Sequence, residues 1–223
     1  FGEDFYSVGE YWSTQMTTIE NYLSDVDFQF DVFDVPLHFK FHQASYDAQN
    51  FDMSQLFKDT IVENYRFNTV TFVENHDSQP NQSLESHVKR WFKPLAYAAI
   101  LLIKHGYPCI FYGDYYGTRG DNAIEPMPEV IDKLLQLRKN HAHGRQDDYL
   151  DHQHVIGWVR LGDKEHPRGC AVIMTSTDEG EKTMFVGEMH KGEIWIDALG
   201  NIDTEVKIDE EGKIEASLAE KWE

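Results

Sequence analysis

The sequence predicts an α/β unit followed by an all-β unit, the first amounting to half of a closed eight-stranded (β/α)8 barrel. Strand-like and helix-like segments alternate through residues 5–141, as in a parallel sheet with helical crossovers, and four such units can be counted. Two of the apolar segments stop abruptly at carboxylates. Thr69–Val73 runs into His76-Asp77, and Phe5–Val8 runs into Glu10-Tyr-Trp12. Buried parallel strands read as continuous apolar runs, and chemistry in barrels sits where such strands end. After Gly144 the helical periodicity gives way to short strands punctuated by Gly, Asp and Asn.

Taken in order, a short strand ends at Val8 and a polar helix is expected across Thr17–Ser24. Phe28–Leu37 reads as strand-like. Met53–Phe57 starts another helix, with Asp52 or Ser54 able to cap it. After the Thr69–Val73 strand, Leu84, Val88, Trp91, Leu95, Ala98 and Leu102 recur at helical spacing as far as Lys104. Pro94 kinks that helix or restarts it from its first turn, and Gly106 closes it. Pro108–Tyr112 is a further buried strand ending at Gly113-Asp114, and Val130–Asn140 is an amphipathic helix.

The all-β unit is expected to contain strands at Val155–Leu161, Cys170–Thr175, Thr183–Val186, Glu193–Ile196, Glu205–Ile208 and Lys213–Ala216. Turns fall at Gly162-Asp163, Asp178-Glu179-Gly180, Gly200-Asn201 and Glu211-Gly212. Cys109 and Cys170 lie in apolar segments and read as core thiols, and no metal-ligand spacing stands out.

The formal charge is −19, from 39 acidic and 20 basic residues, which argues against nucleic acid as a partner. Leu95–Ile103, the longest apolar stretch, is too short to span a bilayer, so no membrane partner is expected. The chain opens Phe-Gly-Glu-Asp-Phe, without an initiator Met or a signal sequence, and reads as a fragment or processed form.

Two carboxylates at strand tips, flanked by His and Trp, suit acid/base work on a sugar. Cleaving a glycosidic bond needs one carboxylic acid for the leaving oxygen and one carboxylate to attack or to activate water. Tyr11 and Trp12 would desolvate Glu10 and suit it to the acid role. Glu10 and Asp77 are expected to project from neighbouring strands into a shared cleft. His76 offers hydrogen bonds to sugar hydroxyls.

These segments carry a family resemblance. Phe72-Val-Glu-Asn-His-Asp-Ser-Gln-Pro80 resembles the fourth signature region of the α-amylases, glycoside hydrolase family 13, and Val8-Gly-Glu-Tyr-Trp12 resembles the third. Gly106-Tyr-Pro-Cys-Ile-Phe-Tyr-Gly-Asp114 is similar to their eighth-strand segment. The likeness continues through Phe33-Asp-Val-Pro-Leu37, Trp91-Phe-Lys-Pro-Leu-Ala-Tyr97 and Tyr149-Leu-Asp-His152, and is closest to the liquefying-type bacterial enzymes.

The resemblance implies the C-terminal part only of such an enzyme. Residues 1–144 would be the C-terminal half of the (β/α)8 TIM barrel, and residues 145–223 a small antiparallel β-sandwich, domain C. It implies retaining endo-hydrolysis of α-1,4-glucosidic bonds in starch, glycogen or maltodextrin. Glu10 falls at the general acid/base, and Asp77 at the acidic residue that holds the distorted sugar. His76 falls at the imidazole that binds its hydroxyls, and Trp12 at an aromatic near the aglycone side. Asn75 and Gln79 support the loop.

The family's nucleophile, an Asp of the second signature region, has no counterpart in residues 1–223, since Asp31 and Asp34 lie in the sixth-strand segment. Glu74 stands where many relatives carry Asp, and Ser78 where many carry Thr. The chain alone is therefore expected to be inactive. The alternatives are a non-catalytic structural or oligosaccharide-binding fragment, and relatives that transfer glucosyl units or cut α-1,6 bonds. No cofactor is expected within the chain. The resemblance allows Ca²⁺ in the full-length enzyme, and Asp148 matches one ligand of an extra calcium site whose second acidic ligand is Ser176 here. An α-glucan or maltooligosaccharide substrate, self-association through exposed half-barrel edges and a cytoplasmic location complete the expectations.

Overall fold

The computed structural model describes residues 5–177, 179–203 and 205–218. Asp178 of one expected turn, the opening residues 1–4 and the closing residues 219–223 lie outside the described residues. Four parallel strands form the first sheet, β1 (Val8–Gly9), β2 (Asp31–Phe33), β3 (Thr69–Phe72) and β4 (Tyr107–Cys109), hydrogen-bonded in that order. Helix α1 (Met16–Asp25) links β1 to β2, while α2 (Val35–Tyr46) and the short α3 (Ile61–Asn64) link β2 to β3. Helix α4 (Lys93–Leu102) precedes β4, and α5 (Tyr112–Tyr116) and α6 (Pro128–Asn140) follow it. The result is a partial (β/α) barrel. Because the strands are parallel, the residues that follow them, Glu10, Asp34, Glu74 and Asp114, belong to one end of the sheet.

Strand β3 is buried along its whole length, as its unbroken Thr-Val-Thr-Phe run requires. The expected strand across Phe28–Leu37 is corrected: it ends at Phe33. Asp34 caps α2, its Oδ1 accepting the Leu37 N–H at 3.0 Å, with Pro36 in the first turn. The expected helix at Met53–Phe57 is only a 3-10 turn over Met53–Gln55, capped by Asp52, whose Oδ1 accepts the Ser54 N–H at 2.9 Å.

The long helix expected from Leu84 to Lys104 is also corrected, since regular helix begins at Lys93 with Pro94 in its first turn. Upstream, tertiary partners take the backbone donors a helix would need. The Val88 N–H goes to Glu74 Oε1 at 2.5 Å and the Lys89 N–H to Ser45 Oγ at 3.1 Å. Gly106 is no helix stop either. It enters β4 at φ +80°, where a Cβ would sit 2.9 Å from Thr71 Cγ2.

The remainder is antiparallel. Strands β5 (Gln146–Tyr149), β6 (Val155–Arg160) and β7 (Cys170–Thr175) form one sheet in sequence order. Strand β8 (Gly180–Phe185) pairs with β11 (Lys213–Leu218), and β9 (Ile194–Trp195) pairs with β10 (Val206–Lys207). Strand β5, Gln-Asp-Asp-Tyr, carries no apolar alternation, and its pairing to β6 creates it.

One core joins the two parts. Trp158 of β6 is fully buried, donates its indole N–H to the Leu102 carbonyl at 3.3 Å, and meets Phe57 edge-on at 6.0 Å. Cys109 and Cys170 are free and half-buried. Burial pushes both thiols up, Cys170 to about 12. Among the described residues no helix is long and apolar enough to cross a membrane.

Candidate active site

The tip that follows β3 is built by Asn75. Its Oδ1 accepts the backbone N–H groups of Asp77 (3.0 Å) and Ser78 (2.8 Å), an Asx turn that sets the direction of the next residues. Its Nδ2 donates to Glu10 Oε1 at 3.3 Å, so the ends of β1 and β3 meet. Strand β2 lies between them, which corrects the expectation of neighbouring strands: the loops bring the two ends together across an intervening strand. His76 is largely exposed with Nε2 3.6 Å from Asp77 Oδ2, and Gln79 Nε2 donates to the His76 carbonyl at 2.8 Å. Glu10 and His76 are exposed and Asp77 is half-buried, an open face that a solvated ligand can reach.

The aromatic neighbours of Glu10 point away from it. Tyr11 stacks on Tyr22 at 4.6 Å, and half-buried Trp12 packs among His38, Phe39 and Phe72 at 5.6–6.2 Å. The desolvation expected from Tyr11 and Trp12 is therefore not delivered to Glu10, which is exposed.

Behind the tip lies a buried polar layer. Glu74 Oε2 accepts the Ser78 hydroxyl at 2.6 Å, and Lys93 Nζ lies 3.6 Å from Glu74 Oε1 while bonding directly to Asp114 Oδ1. Tyr97 donates its hydroxyl to Asp114 Oδ2 at 2.6 Å. Burial pushes Glu74 up to about 7, against the lowering influence of Lys93 and two hydrogen bonds. His38 is fully buried between the Val73 carbonyl and Ser86 Oγ, both 2.8 Å away, and burial pushes it down to about 4.

These geometries can be set against known proteins. A profile described as Alpha amylase, catalytic domain, matches residues 2–158. The chain belongs to the α-amylase family. It is 46% identical to the alpha-amylase of Bacillus licheniformis over 95% of its own length and 42% of that protein. It is 44% identical to the cytoplasmic alpha-amylase of Escherichia coli (strain K12), over 92% of this chain and 43% of that one. It thus spans about two-fifths of these curated relatives. An Anoxybacillus α-amylase structure superposes with a TM-score of 0.64 at 19% identity, covering 98% of this chain and 51% of that one, which supports the fold.

The catalytic-domain match corrects the expectation that this α-amylase-family chain is a C-terminal part only. The match opens at residue 2 and occupies the N-terminal region, which contains the ends of β1 to β4 and Glu10, Asp34, Glu74, Asp77 and Asp114.

Sequence reading missed Glu74, Lys93, Asp114, Tyr97 and His38 as a supporting layer. The available signal was a Lys and two acids within otherwise apolar segments, which must pair when buried. It also missed that folding brings His143, Asp163 and His166 within 4.8 Å of one another. That group does not suit Ca²⁺, which takes oxygen ligands. The two imidazoles stack 3.6 Å apart at 8°, so their in-plane lone pairs run side by side, and Asp163 Oδ1 is taken by the N–H groups of Glu165 and His166. The two residues of the expected calcium set each have a protein partner. Asp148 Oδ1 accepts from Gln146 Nε2 at 2.6 Å, and Ser176 Oγ lies 3.3 Å from His154 Nδ1.

Proposed function

We propose that the chain carries the acid/base side of a retaining α-1,4-glucan hydrolase acting on starch, glycogen or maltodextrin. Glu10 protonates the leaving glycosidic oxygen and later takes a proton from water. Asp77 holds the distorted sugar and offsets positive charge as the oxocarbenium-like transition state forms. His76 binds hydroxyls of the same sugar. Trp12 is the aglycone-side aromatic, although its packing against His38 and Phe72 leaves it only half exposed. The observation that carries this reading is the Asn75–Glu10 hydrogen bond, which ties the Glu10 strand end to the turn bearing His76 and Asp77.

Retention needs a second carboxylate as nucleophile about 5–5.5 Å from the acid. The family motif that would supply it has no counterpart in residues 1–223. The 223-residue chain should therefore bind maltohexaose without turning it over. No reducing ends should be released from soluble starch, and measurable turnover would reject this. Calorimetry should give heat with maltohexaose, weakened about tenfold or more in D77A, because one or two charge-assisted hydrogen bonds are lost. Absence of heat at millimolar sugar would sink the binding reading.

The barrel unit is proposed to end near residue 144, between α6 and β5. Among the described residues the outer strands β1 and β4 have no strand partner on their outer edges, and such edges seek partners, so self-association is also proposed. Light scattering at two concentrations tests it, and a constant monomer mass would reject it. A cytoplasmic setting is supported by likeness to the E. coli relative, with cell fractionation as its check.

A further inference from the structure

We propose that Glu74 is a positioning residue: its carboxylate, held against Lys93, sets the 75–78 turn that presents His76 and Asp77 and reaches Glu10. This rests on the sugar-site reading above for its consequence, though not for its geometry.

The chain of contacts is continuous. Glu74 is 2% exposed, and both its oxygens are engaged. Oε1 accepts the Val88 N–H at 2.5 Å, and Oε2 accepts the Ser78 hydroxyl at 2.6 Å. Ser78 Oγ in turn accepts the Asn75 N–H at 3.0 Å. Asn75 then orients Asp77 and Ser78 through Oδ1 and touches Glu10 through Nδ2. One hydroxyl therefore relays the state of a buried carboxylate to the residue that joins the two strand ends.

The relay has a direction. While Glu74 is charged, Ser78 must give it a proton, so the hydroxyl oxygen is free to accept from Asn75. Val88 N–H points at Oε1, so a proton on Glu74 goes to Oε2, facing Ser78. The new O–H then donates to Ser78 Oγ, whose second lone pair still takes the Asn75 N–H while its own proton turns towards the Asn75 carbonyl, so the charge-assisted bond that anchors the turn reverses and weakens. The groups facing Glu74 are Lys93 and Tyr97 of α4, Asp114 of α5 and Tyr46 of α2. Two carboxylates thus share one ammonium, and burial holds Glu74 near neutrality.

The test uses the 223-residue chain in an H76N background, which leaves carboxyl groups as the ionisable side chains of residues 74–79. The side-chain carboxyl ¹³C of Glu74 and the amide ¹⁵N–¹H signals of Asn75, Asp77 and Ser78 are followed from pH 5 to 9. All should move with one midpoint near 7. In E74Q the amide midpoint should vanish. In S78A the Glu74 carboxyl should still titrate while the Asn75 and Asp77 amides no longer follow it. Amides that move identically in parent, E74Q and S78A would overturn the proposal. With His76 restored, maltohexaose affinity should weaken about threefold more from pH 8 to pH 6 in the parent than in E74Q, and equal changes in the two would count against the relay. If no sugar binds at all, the sugar-site reading fails and the amide titrations still decide the role of Glu74.

Discussion

Asp34→Ala is expected to destabilise the chain by about 4 kcal/mol, read as a lower urea midpoint at unchanged slope, because it orphans several buried donors at once. Asp34 is fully buried, and its carboxylate accepts the N–H groups of Leu37 (3.0 Å), Ile61 (3.2 Å) and Val62 (2.8 Å). It thereby caps α2 and fixes the start of α3 with a single side chain. A loss below about 1 kcal/mol would mean that water replaces those bonds and that the cap is dispensable.

The pH dependence of the same residue is checkable. Burial, the largest influence, pushes Asp34 from its ordinary 3.8 up to about 6 despite the three amides. Between those values the folded chain binds more protons at this site than the unfolded chain. The Asp34 contribution to stability therefore falls as pH rises from about 4 to 6 and is flat above. His38 works in the opposite sense. Burial holds it at about 4 against an ordinary 6.5, so the unfolded chain takes up the proton and stability rises across that window. Asp34→Asn should remove the first trend and leave the second, giving a steeper rise from pH 4 to 6 than in the parent chain.

Lys93→Met is expected to cost about 3 kcal/mol at pH 8, since it strips the shared counterion from two buried carboxylates. Lys93 is 6% exposed and bonds Asp114 directly, with Glu74 at 3.6 Å. Met keeps the unbranched shape and falls one heavy atom short, so lost packing contributes little and the uncompensated charge dominates. The cost should shrink towards pH 5, because Glu74 is already held near 7 and can take a proton there. A penalty independent of pH would show that packing, not charge, is what Lys93 supplies. Urea melts of parent and variant at the two pH values make the comparison.

Much of the barrel half was legible because its signals are local. Thr69–Phe72 is β-branched and aromatic without interruption, and Pro94 marked a helix start within one turn of Lys93. The same local reading overextended the strand at Phe28–Leu37. There a cap, Asp34, and a proline in the next turn outweigh the apolar run. It also overextended the helix at Leu84, where periodicity was present but Glu74 and Ser45 had taken the backbone donors. Strand β5 was invisible because its Gln-Asp-Asp-Tyr run acquires strand character only by pairing with β6.

What the chain's own order of residues determined is the set of chemical groups at each strand end, since a strand, its terminus and the following carboxylate lie within a few positions of one another. Which of those groups touch was decided only in three dimensions. Asn75 reaches Glu10 across 65 residues, and Lys93 reaches Asp114 across 21. No local propensity encodes such a pairing. It follows from burial, which forces each charged or polar group folded away from water to find a partner wherever the packed sheet and helices place one.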